Sequence, residues 1–184
     1  MPEISEDILL DIKNLSVVLK KSGNTSPILD NINLSICKEQ RVALIGQSGS
    51  GKTMTALALL GLLPENMNVT NGQMIYEDRA IRFDDETAME EQRGNKIAII
   101  FQEPHAALNP VFQVGTQLID IIRANLKLSG KEAKEKALDL LSQVGFSDVN
   151  KTAKMYPGQL SGGMAQRVLI AMALSCQPGL IIAD

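Results

Sequence analysis

The sequence predicts an α/β fold with a mainly parallel sheet, an N-terminal antiparallel β layer and an inserted α-helical subdomain. Three short apolar runs, at residues 41–45, 97–101 and 180–184, have the composition of parallel strands that are buried on both faces. Residues 32–36 alternate between apolar and polar side chains instead, which is typical of a half-buried antiparallel strand. Residues 105–156 carry apolar side chains at helical spacing, and they form the predicted helical subdomain.

The bulk composition indicates one globular domain over residues 1–184. Hydrophobic residues make up 45% and charged residues 21% of the chain, which excludes a disordered protein. The net charge of −3 leaves no basic surface for nucleic acid. No apolar run approaches the about 20 residues that cross a bilayer, and the acidic N-terminal segment does not resemble a signal peptide. Cys37 and Cys176 have neither metal nor redox spacing, which predicts a reduced, cytosolic chain.

The N-terminal part of the chain is predicted to form strands. Apolar residues at 8–19 predict the first strand, and the polar residues 20–24 predict a turn before the strand at 32–36. The run Arg-Val-Ala-Leu-Ile at residues 41–45 predicts a buried parallel strand that leads directly into the central motif.

The central motif is Gly-Gln-Ser-Gly-Ser-Gly-Lys-Thr at residues 46–53, which fits the phosphate-loop pattern G-x-x-x-x-G-K-[ST]. It lies between the predicted strand at 41–45 and a predicted helix at 54–63, and this is the context that the motif requires. We therefore predict a phosphate-loop NTPase core. The alternative is an accidental Gly/Ser-rich turn, and the flanking elements argue against it.

The residue types of this loop suit a nucleotide phosphate. Glycines let the backbone approach an anion without an intervening Cβ, and the N–H groups of the loop and of the helix start attract negative charge. Lys52 would bring a positive charge to the β- and γ-phosphates, and the Thr53 hydroxyl would bind Mg²⁺. The predicted cofactor-binding residues of the loop are Gly46, Gln47, Ser48, Gly49, Ser50, Gly51, Lys52 and Thr53.

The elements after the loop follow from simple start and stop signals. Pro64 is expected to stop the helix at residues 54–63. Residues 71–76 predict a further strand, and residues 78–79 predict a turn. The charged residues 84–94 predict a short helix or a loop.

Two amphipathic helices are predicted within residues 105–156. The first is broken at Ser129 and Gly130, and the second is closed by Gly145. Ser161 is placed to cap a later helix that continues through the apolar residues 168–175. The apolar faces comprise Val114, Leu118, Ile121, Ile122 and Leu126 in the first helix, and Ala133, Ala137, Leu140, Leu141 and Val144 in the second.

Four motifs in this order resemble the nucleotide-binding subunit of an ABC transporter. They are the phosphate loop, Gln102 after an apolar run, Leu-Ser-Gly-Gly at residues 160–163, and an apolar run that ends at Asp184. The Leu-Ser-Gly-Gly stretch is similar to the signature motif that separates this family from other phosphate-loop proteins. The resemblance covers the whole chain. Phe-Gln-Glu-Pro at 101–104 and Leu-Asn-Pro-Val-Phe at 108–112 resemble the branch that serves bacterial oligopeptide, dipeptide and nickel importers.

The resemblance implies a role for each matched residue. The loop would bind ATP. Mg²⁺ would be bound by Thr53, Gln102 and Asp184, and Gln102 would also contact the attacking water. Lys52, Gln102 and Asp184 are accordingly the predicted catalytic residues. The signature residues would contact the γ-phosphate of a nucleotide that is bound to a partner subunit; they are Ser161, Gly162, Gly163 and Gln166.

The resemblance also implies partners and a location. The expected partners are a second ABC ATPase subunit (the same or a paralogue), membrane permease subunits and, indirectly, an extracytoplasmic solute-binding protein. No nucleic acid is expected. The chain would lie at the cytoplasmic face of the membrane, held there by the permease subunits.

The chain departs from the family pattern in two places. Leu19 stands where the family usually has an aromatic residue that stacks on adenine, so the base would meet only an aliphatic contact. The family's glutamate after the strand-end aspartate and its later histidine are absent beyond Asp184, which predicts a shortened chain that binds ATP weakly and hydrolyses it negligibly. His105 follows the Gln102 loop, and it is expected to be an ordinary polar loop residue.

Three other functions remain open from the sequence alone. A non-transport ABC ATPase of DNA repair, chromosome organisation or translation would typically carry two cassettes, long coiled coils or a basic face. A GTPase or a kinase could use the same loop, but the chain has no Asn-Lys-x-Asp guanine motif. The last alternative is a fragment that binds nucleotide without activity.

Overall fold

The computed structural model describes residues 7–21 and 23–184. The chain forms two compact units, Met1–Arg93 and Gly94–Asp184. The first unit contains the phosphate-loop motif, and the second contains the later motifs.

The first unit is built on a four-stranded antiparallel sheet. Its strands are β1 (Ile8–Lys21), β2 (Asn24–Cys37), β3 (Met67–Tyr76) and β4 (Arg79–Ile81), in the spatial order β2-β1-β3-β4. The predicted antiparallel layer is therefore confirmed, and the predicted strands extend beyond their expected ends. The predicted turn at residues 20–24 is shorter than expected, since β1 and β2 continue into it; Ser22 lies outside the described residues.

The turn between β3 and β4 lies at a different position from the turn that the sequence predicted. Glu77 and Asp78 have positive φ angles of 46° and 63°, as in the two-residue hairpin turn that matches the twist of paired strands. Arg79 already pairs with Tyr76. The turn predicted at residues 78–79 is therefore displaced by one residue towards the N-terminus.

Tyr76 provides a test of the packing of this sheet. Its side chain is only 2% exposed, and burial, with a smaller contribution from the charge of Glu77, raises the pKa of the phenol to about 12. The folded-state pKa thus lies above the ordinary value of about 10, so the contribution of Tyr76 to stability is complete below pH 10 and is lost as the pH rises towards 12. We expect the free energy of unfolding, measured by urea titration, to fall by about 2 kcal/mol over this interval. Tyr76→Phe should lack that part of the decline, and an unchanged pH profile in this variant would contradict the assignment.

The first helix, α1 (Lys52–Leu59), ends earlier than predicted. Gly61 adopts a left-handed φ of 63°, and its N–H donates to the Ala58 carbonyl over 3.1 Å. The Leu62 N–H reaches back to the Leu57 carbonyl over 2.9 Å, which completes the usual glycine-based helix end. Glycine therefore stops this helix, and the prediction that Pro64 would do so was wrong.

Residues 41–45 do not form the predicted strand. They have no regular secondary structure, and Val42, Leu44 and Ile45 are 43%, 51% and 95% exposed. A parallel strand exists only where neighbouring strands accept its hydrogen bonds, and residues 41–45 have no strand partner within the described chain. The apolar composition was read correctly, but it could not show that a partner strand was present.

A second, smaller sheet belongs to the unit Gly94–Asp184. Its strands β5 (Ile97–Ile100) and β6 (Leu180–Ala183) are parallel, as predicted. Full burial was predicted for both strands, and this is wrong for both: Ile99 and Ile100 of β5 are only half-buried, and Ile181 of β6 is 39% exposed. The reason is that β6 pairs with β5 alone among the described residues.

The remaining helices are distributed over both units. In the first unit, α2 (Glu86–Gln92) fills the stretch predicted as a short helix or loop. In the second unit, the stretch predicted to be helical contains four helices, and a further helix follows a single 3₁₀ turn at Pro157–Gln159. The helices of the second unit are α3 (Pro104–Ala107), α4 (Val114–Leu126), α5 (Gly130–Gln143), α6 (Val149–Lys154) and α7 (Gly162–Leu174).

The predicted apolar faces of α4 and α5 contribute to the core, but the break predicted at Ser129 and Gly130 comes earlier, because α4 ends at Leu126 and Gly130 is already part of α5. Ser129 caps α5 together with Glu132, and Gly145, with a φ of 89°, follows its last turn. No helix in the described part of the chain is both long and apolar enough to cross a membrane. The fully buried members of the core include Val114, Leu118, Ile122, Ala133, Leu141, Ala165 and Val168.

Candidate functional site

The phosphate-loop motif forms a tight backbone turn that ends at the start of α1. Gly51 has a φ of 93° and is the N-cap of this helix, a conformation that favours glycine. At Gly46, a Cβ would lie 2.5 Å from the Ser50 Oγ and 3.2 Å from its Cβ, so a side chain there would clash with Ser50. The concave backbone therefore depends on the absence of side chains at these two positions.

Lys52 lies across this concave backbone. Its Nζ donates to the carbonyl oxygens of Gly46 and Gln47, each over 2.9 Å, and lies 3.5 Å from the Ser50 Oγ. The ammonium is thus held at the loop, although the side chain is only half-buried. An ammonium held in this way can bind a phosphate without a large change in the conformation of the loop.

The N-terminus of α1 is open to an anion. Gly51 has no side chain that could accept hydrogen bonds from the N–H groups of the first turn, and no acidic residue in that turn supplies a negative charge. Thr53 lies in the first turn and is exposed, as a Mg²⁺-binding hydroxyl would need to be. The donor set of the loop, with one cation and several N–H groups, fits a phosphate group.

Gln102 and Asp184 lie at the same edge of the small parallel sheet. Ile100 pairs with Ala183, and the Asp184 N–H donates to the Ile100 carbonyl over 3.0 Å. Both side chains follow the carboxyl ends of their strands, and both residues are exposed. The structure therefore brings these two predicted residues to one sheet edge, where ligands of open α/β sheets commonly bind.

The Leu-Ser-Gly-Gly stretch forms the start of α7. The Ser161 Oγ accepts from the Met164 N–H over 3.3 Å, so the predicted cap is confirmed. Gly162 and Gly163 are exposed, and a Cβ at either position would meet no atom of the described chain within 4 Å. Packing within the chain therefore does not explain why these residues are glycine, and a helix N-terminus remains accessible from outside. Gln166 is half-buried one turn further on.

Sequence reasoning missed the contact that fixes this helix. The Arg167 guanidinium lies 4.5 Å from the centroid of the Phe146 ring, and its Nη1 donates to the Gly145 carbonyl over 2.9 Å. Arg167 therefore ties α7 to the segment that ends α5. Arg167 directly follows the signature residue Gln166, which marks it as a residue of interest, but no sequence pattern predicts its contact with Phe146 and Gly145.

A second missed residue is Gln117, which holds an exposed apolar turn. Its side-chain amide donates to the carbonyls of Asn109 and Phe112, and its Oε1 accepts from the Asn109 N–H, each over 2.9 Å. Val111 and Phe112 are 71% and 51% exposed on this turn. A fixed turn that displays two large apolar side chains is typical of a surface that another protein covers.

The remaining predicted residues can be placed within their own units. Leu19 is half-buried in β1, where it pairs with Ser26 and Met67. His105 is an exposed polar residue, as predicted, but it lies in the short helix α3 and not in a loop. Among residues 7–21 and 23–184, no group of three or more His, Cys, Asp or Glu side chains could hold a metal ion.

Comparison with known proteins gives a consistent result. A protein-family model described as ABC transporter matches residues 29–184. The oligopeptide transport ATP-binding protein AppD of Bacillus subtilis is 40% identical over 177 residues, which cover 96% of this chain and 54% of that protein. The probable D,D-dipeptide transport ATP-binding protein DdpD of Escherichia coli is 41% identical, with 96% and 54% covered. The chain thus spans about half the length of these curated relatives.

Solved structures agree with the sequence comparisons. The chain superimposes with a TM-score of 0.82 on the dimeric ATP-binding cassette MJ0796 bound to ADP and Pi, at 28% identity over 95% of this chain and 73% of that one. The cbiO1 protein of Clostridium perfringens, part of the ABC transporter complex cbiONQ, gives a TM-score of 0.75 at 24% identity, over 97% of this chain and 66% of that one. The predicted α/β fold with a phosphate-loop core is confirmed by these neighbours.

Proposed function

The chain belongs to the ABC transporter family, and we propose that it is the ATP-binding and ATP-hydrolysing subunit that powers import of peptides or a related small solute. The observation that carries this proposal is the phosphate loop, in which Lys52 is held over a glycine-lined backbone at the open N-terminus of α1. The names of the relatives, which are transport ATP-binding proteins for oligopeptides and dipeptides, support peptides as the solute. Nickel is the alternative solute that the motif resemblance adds.

The phosphate loop would hold the phosphates of ATP. Its N–H groups and the Lys52 ammonium would bind the β- and γ-phosphate oxygens, and the exposed Thr53 hydroxyl would face the accompanying Mg²⁺. Mg²⁺, when bound with the nucleotide, supplies positive charge to the phosphate oxygens. Leu19 would offer the base an aliphatic contact.

Gln102 and Asp184 would act from the edge of the parallel sheet. Asp184 would contribute a carboxylate for Mg²⁺, and Gln102 would contribute an amide that binds Mg²⁺ and orients the attacking water. Their position just after two paired parallel strands favours a joint role, because the pairing of Ile100 with Ala183 brings the two strand ends together. Positioning and charge stabilisation of this kind are the main requirements of phosphoryl transfer.

The signature residues would serve a nucleotide on a second ATPase subunit, the same protein or a paralogue. The support is the exposed start of α7, where Gly162 and Gly163 leave room for close approach from outside the chain. Ser161, which caps the helix, and Gln166, one turn later, border the same approach. A helix N-terminus is a suitable ligand for a γ-phosphate, and the neighbouring cassette MJ0796 is itself dimeric.

The exposed turn at residues 109–112 would dock a permease subunit, which would hold the chain at the cytoplasmic face of the membrane. It lies in the second unit shortly after Gln102, within residues 105–156, the stretch that we propose as a helical subdomain of an ABC nucleotide-binding domain spanning residues 1–184. Apolar anchors on a fixed turn can occupy a pocket in a partner at a low entropic cost. An extracytoplasmic solute-binding protein would then interact with this chain only indirectly.

This docking can be tested by cysteine crosslinking in membranes that contain the permease. Val111→Cys, with Cys37 and Cys176 changed to alanine, should form a crosslink to a cytoplasmic loop of the permease, because this side chain is 71% exposed on the turn. Adding Gln117→Ala should lower the yield, since the turn loses the three hydrogen bonds that the Gln117 side chain makes. Asn24→Cys, in the exposed start of β2, is the matched control. Crosslinks from Asn24→Cys alone would refute docking at this turn.

A further inference from the structure

The phosphate loop rests on a residue outside its motif. Leu29 lies in β2 and is 4% exposed, opposite the fully buried Val17 of β1. A Cβ built on Gly51 would lie 2.5 Å from the Leu29 Cδ2 and 3.6 Å from the Ile28 carbonyl oxygen. The Leu29 side chain therefore occupies the space directly beneath the last glycine of the loop.

Gly51 is also held from its carbonyl side. The Thr55 N–H and the Thr55 Oγ1 both donate to the Gly51 carbonyl, over 2.8 and 3.0 Å. Thr55 is itself only 6% exposed. The backbone of Gly51 is thus fixed between a buried methyl group of the sheet and two hydrogen bonds of α1.

The conformation of Gly51 determines where the loop presents its donors. Its φ of 93° sets the direction in which the chain enters α1, and therefore the direction of the first N–H groups of the helix and of the Lys52 side chain. A phosphate site gains affinity when its donors are oriented before the anion arrives, because their ordering then costs nothing on binding.

We infer that Leu29 is a positioning residue for the nucleotide phosphates, acting through Gly51. This inference rests on the proposed function, since it assumes that the phosphate loop binds ATP. Leu29 makes no contribution of charge or hydrogen bonding; it supplies the rigid surface of the antiparallel sheet on which the loop lies. The effect should therefore concern the phosphates and leave recognition of the base unchanged.

The test compares two buried leucines of the same sheet. Leu29→Ala should weaken binding of ATP and of inorganic tripolyphosphate by the same factor, on the order of tenfold, because the loop loses its support. Leu10→Ala, which removes a fully buried leucine opposite Ile36 and Tyr76, should lower stability without this loss of affinity. Leu29→Met, which keeps a long apolar side chain, should restore binding. Affinities are measured by calorimetry well below the unfolding midpoint of each variant.

A second readout keeps the inference testable if Leu29→Ala folds poorly. Leu29→Val removes less volume, and it should still increase amide hydrogen exchange at residues 49–53, whereas Leu10→Ala should not. The inference is wrong if folded Leu29→Ala and Leu29→Val bind tripolyphosphate within twofold of the wild type, or if Leu10→Ala loses as much affinity. If the wild-type chain binds neither ATP nor tripolyphosphate, the phosphate site itself fails, which is a different outcome.

Discussion

Lys52→Ala should weaken the binding of Mg·ATP by about 2–4 kcal/mol, roughly 30- to 700-fold in the dissociation constant. The ammonium is the one cation that the motif supplies to the β- and γ-phosphates, and charge-assisted hydrogen bonds are about twice as strong as neutral ones. The loss in affinity should greatly exceed any loss in stability. In the described structure the half-buried Lys52 donates only to two loop carbonyls and approaches one hydroxyl.

The measurement is a titration of labelled ATP into the wild type and the variant. Lys13→Ala is the matched control, because it removes an equal charge from the same unit at a residue that pairs with Asp11 and is 53% exposed. Its affinity for ATP should stay within about twofold of the wild type, as expected for a screened surface charge. Equal affinities of Lys52→Ala and the wild type would remove the basis of the phosphate-site assignment.

Ser161→Glu should abolish ATP-dependent dimerisation and leave ATP binding by the monomer intact. The monomer's own phosphate loop keeps all its residues, since Ser161 is not part of residues 46–53 but caps α7. In the proposed dimer, the new carboxylate would face a γ-phosphate across the interface without a compensating cation, and like charges in such a position cost several kcal/mol. The oligomeric state is measured by sedimentation with Mg²⁺ and a non-hydrolysable ATP analogue.

Two further variants separate the interface from the helix cap. Ser161→Ala removes the hydrogen bond to the Met164 N–H and should cost about 1 kcal/mol of stability, with much weaker effects on dimerisation than Ser161→Glu. Gly163→Ala should not destabilise the monomer, because its Cβ meets nothing within 4 Å, but it should weaken the dimer. Dimerisation of Ser161→Glu with ATP, or loss of ATP binding by its monomer, would contradict a role of the signature across the interface.

The parts of the site that the sequence predicted are those with local causes. Residues 46–53 carry the glycines, the cation and the hydroxyl of a phosphate loop within one short segment, so their chemistry is readable without knowing any neighbour. Ser161 caps its helix as predicted, because a cap involves only residues three positions apart.

The failures concern properties that depend on distant neighbours. Residues 41–45 and 180–184 are similarly apolar, with four apolar residues each, yet the first run forms no strand and the second forms a half-exposed one. Composition indicates which residues favour burial. A strand also needs a neighbouring segment whose N–H and C=O groups pair with its own. The early end of α1 has a local cause, because Gly61 adopts the left-handed conformation that ends a helix three residues before Pro64.

The sequence by itself therefore determined the phosphate loop, the signature segment, the family and the order of most elements. Only the tertiary structure decided that Leu29 supports Gly51, that Gln117 fixes the turn at residues 109–112, and that Gln102 and Asp184 share a sheet edge. Each of these three relations joins residues whose partners no periodicity or motif names. The physical reason is that local patterns encode backbone preference and burial, while the pairing of side chains across elements follows from how the elements pack.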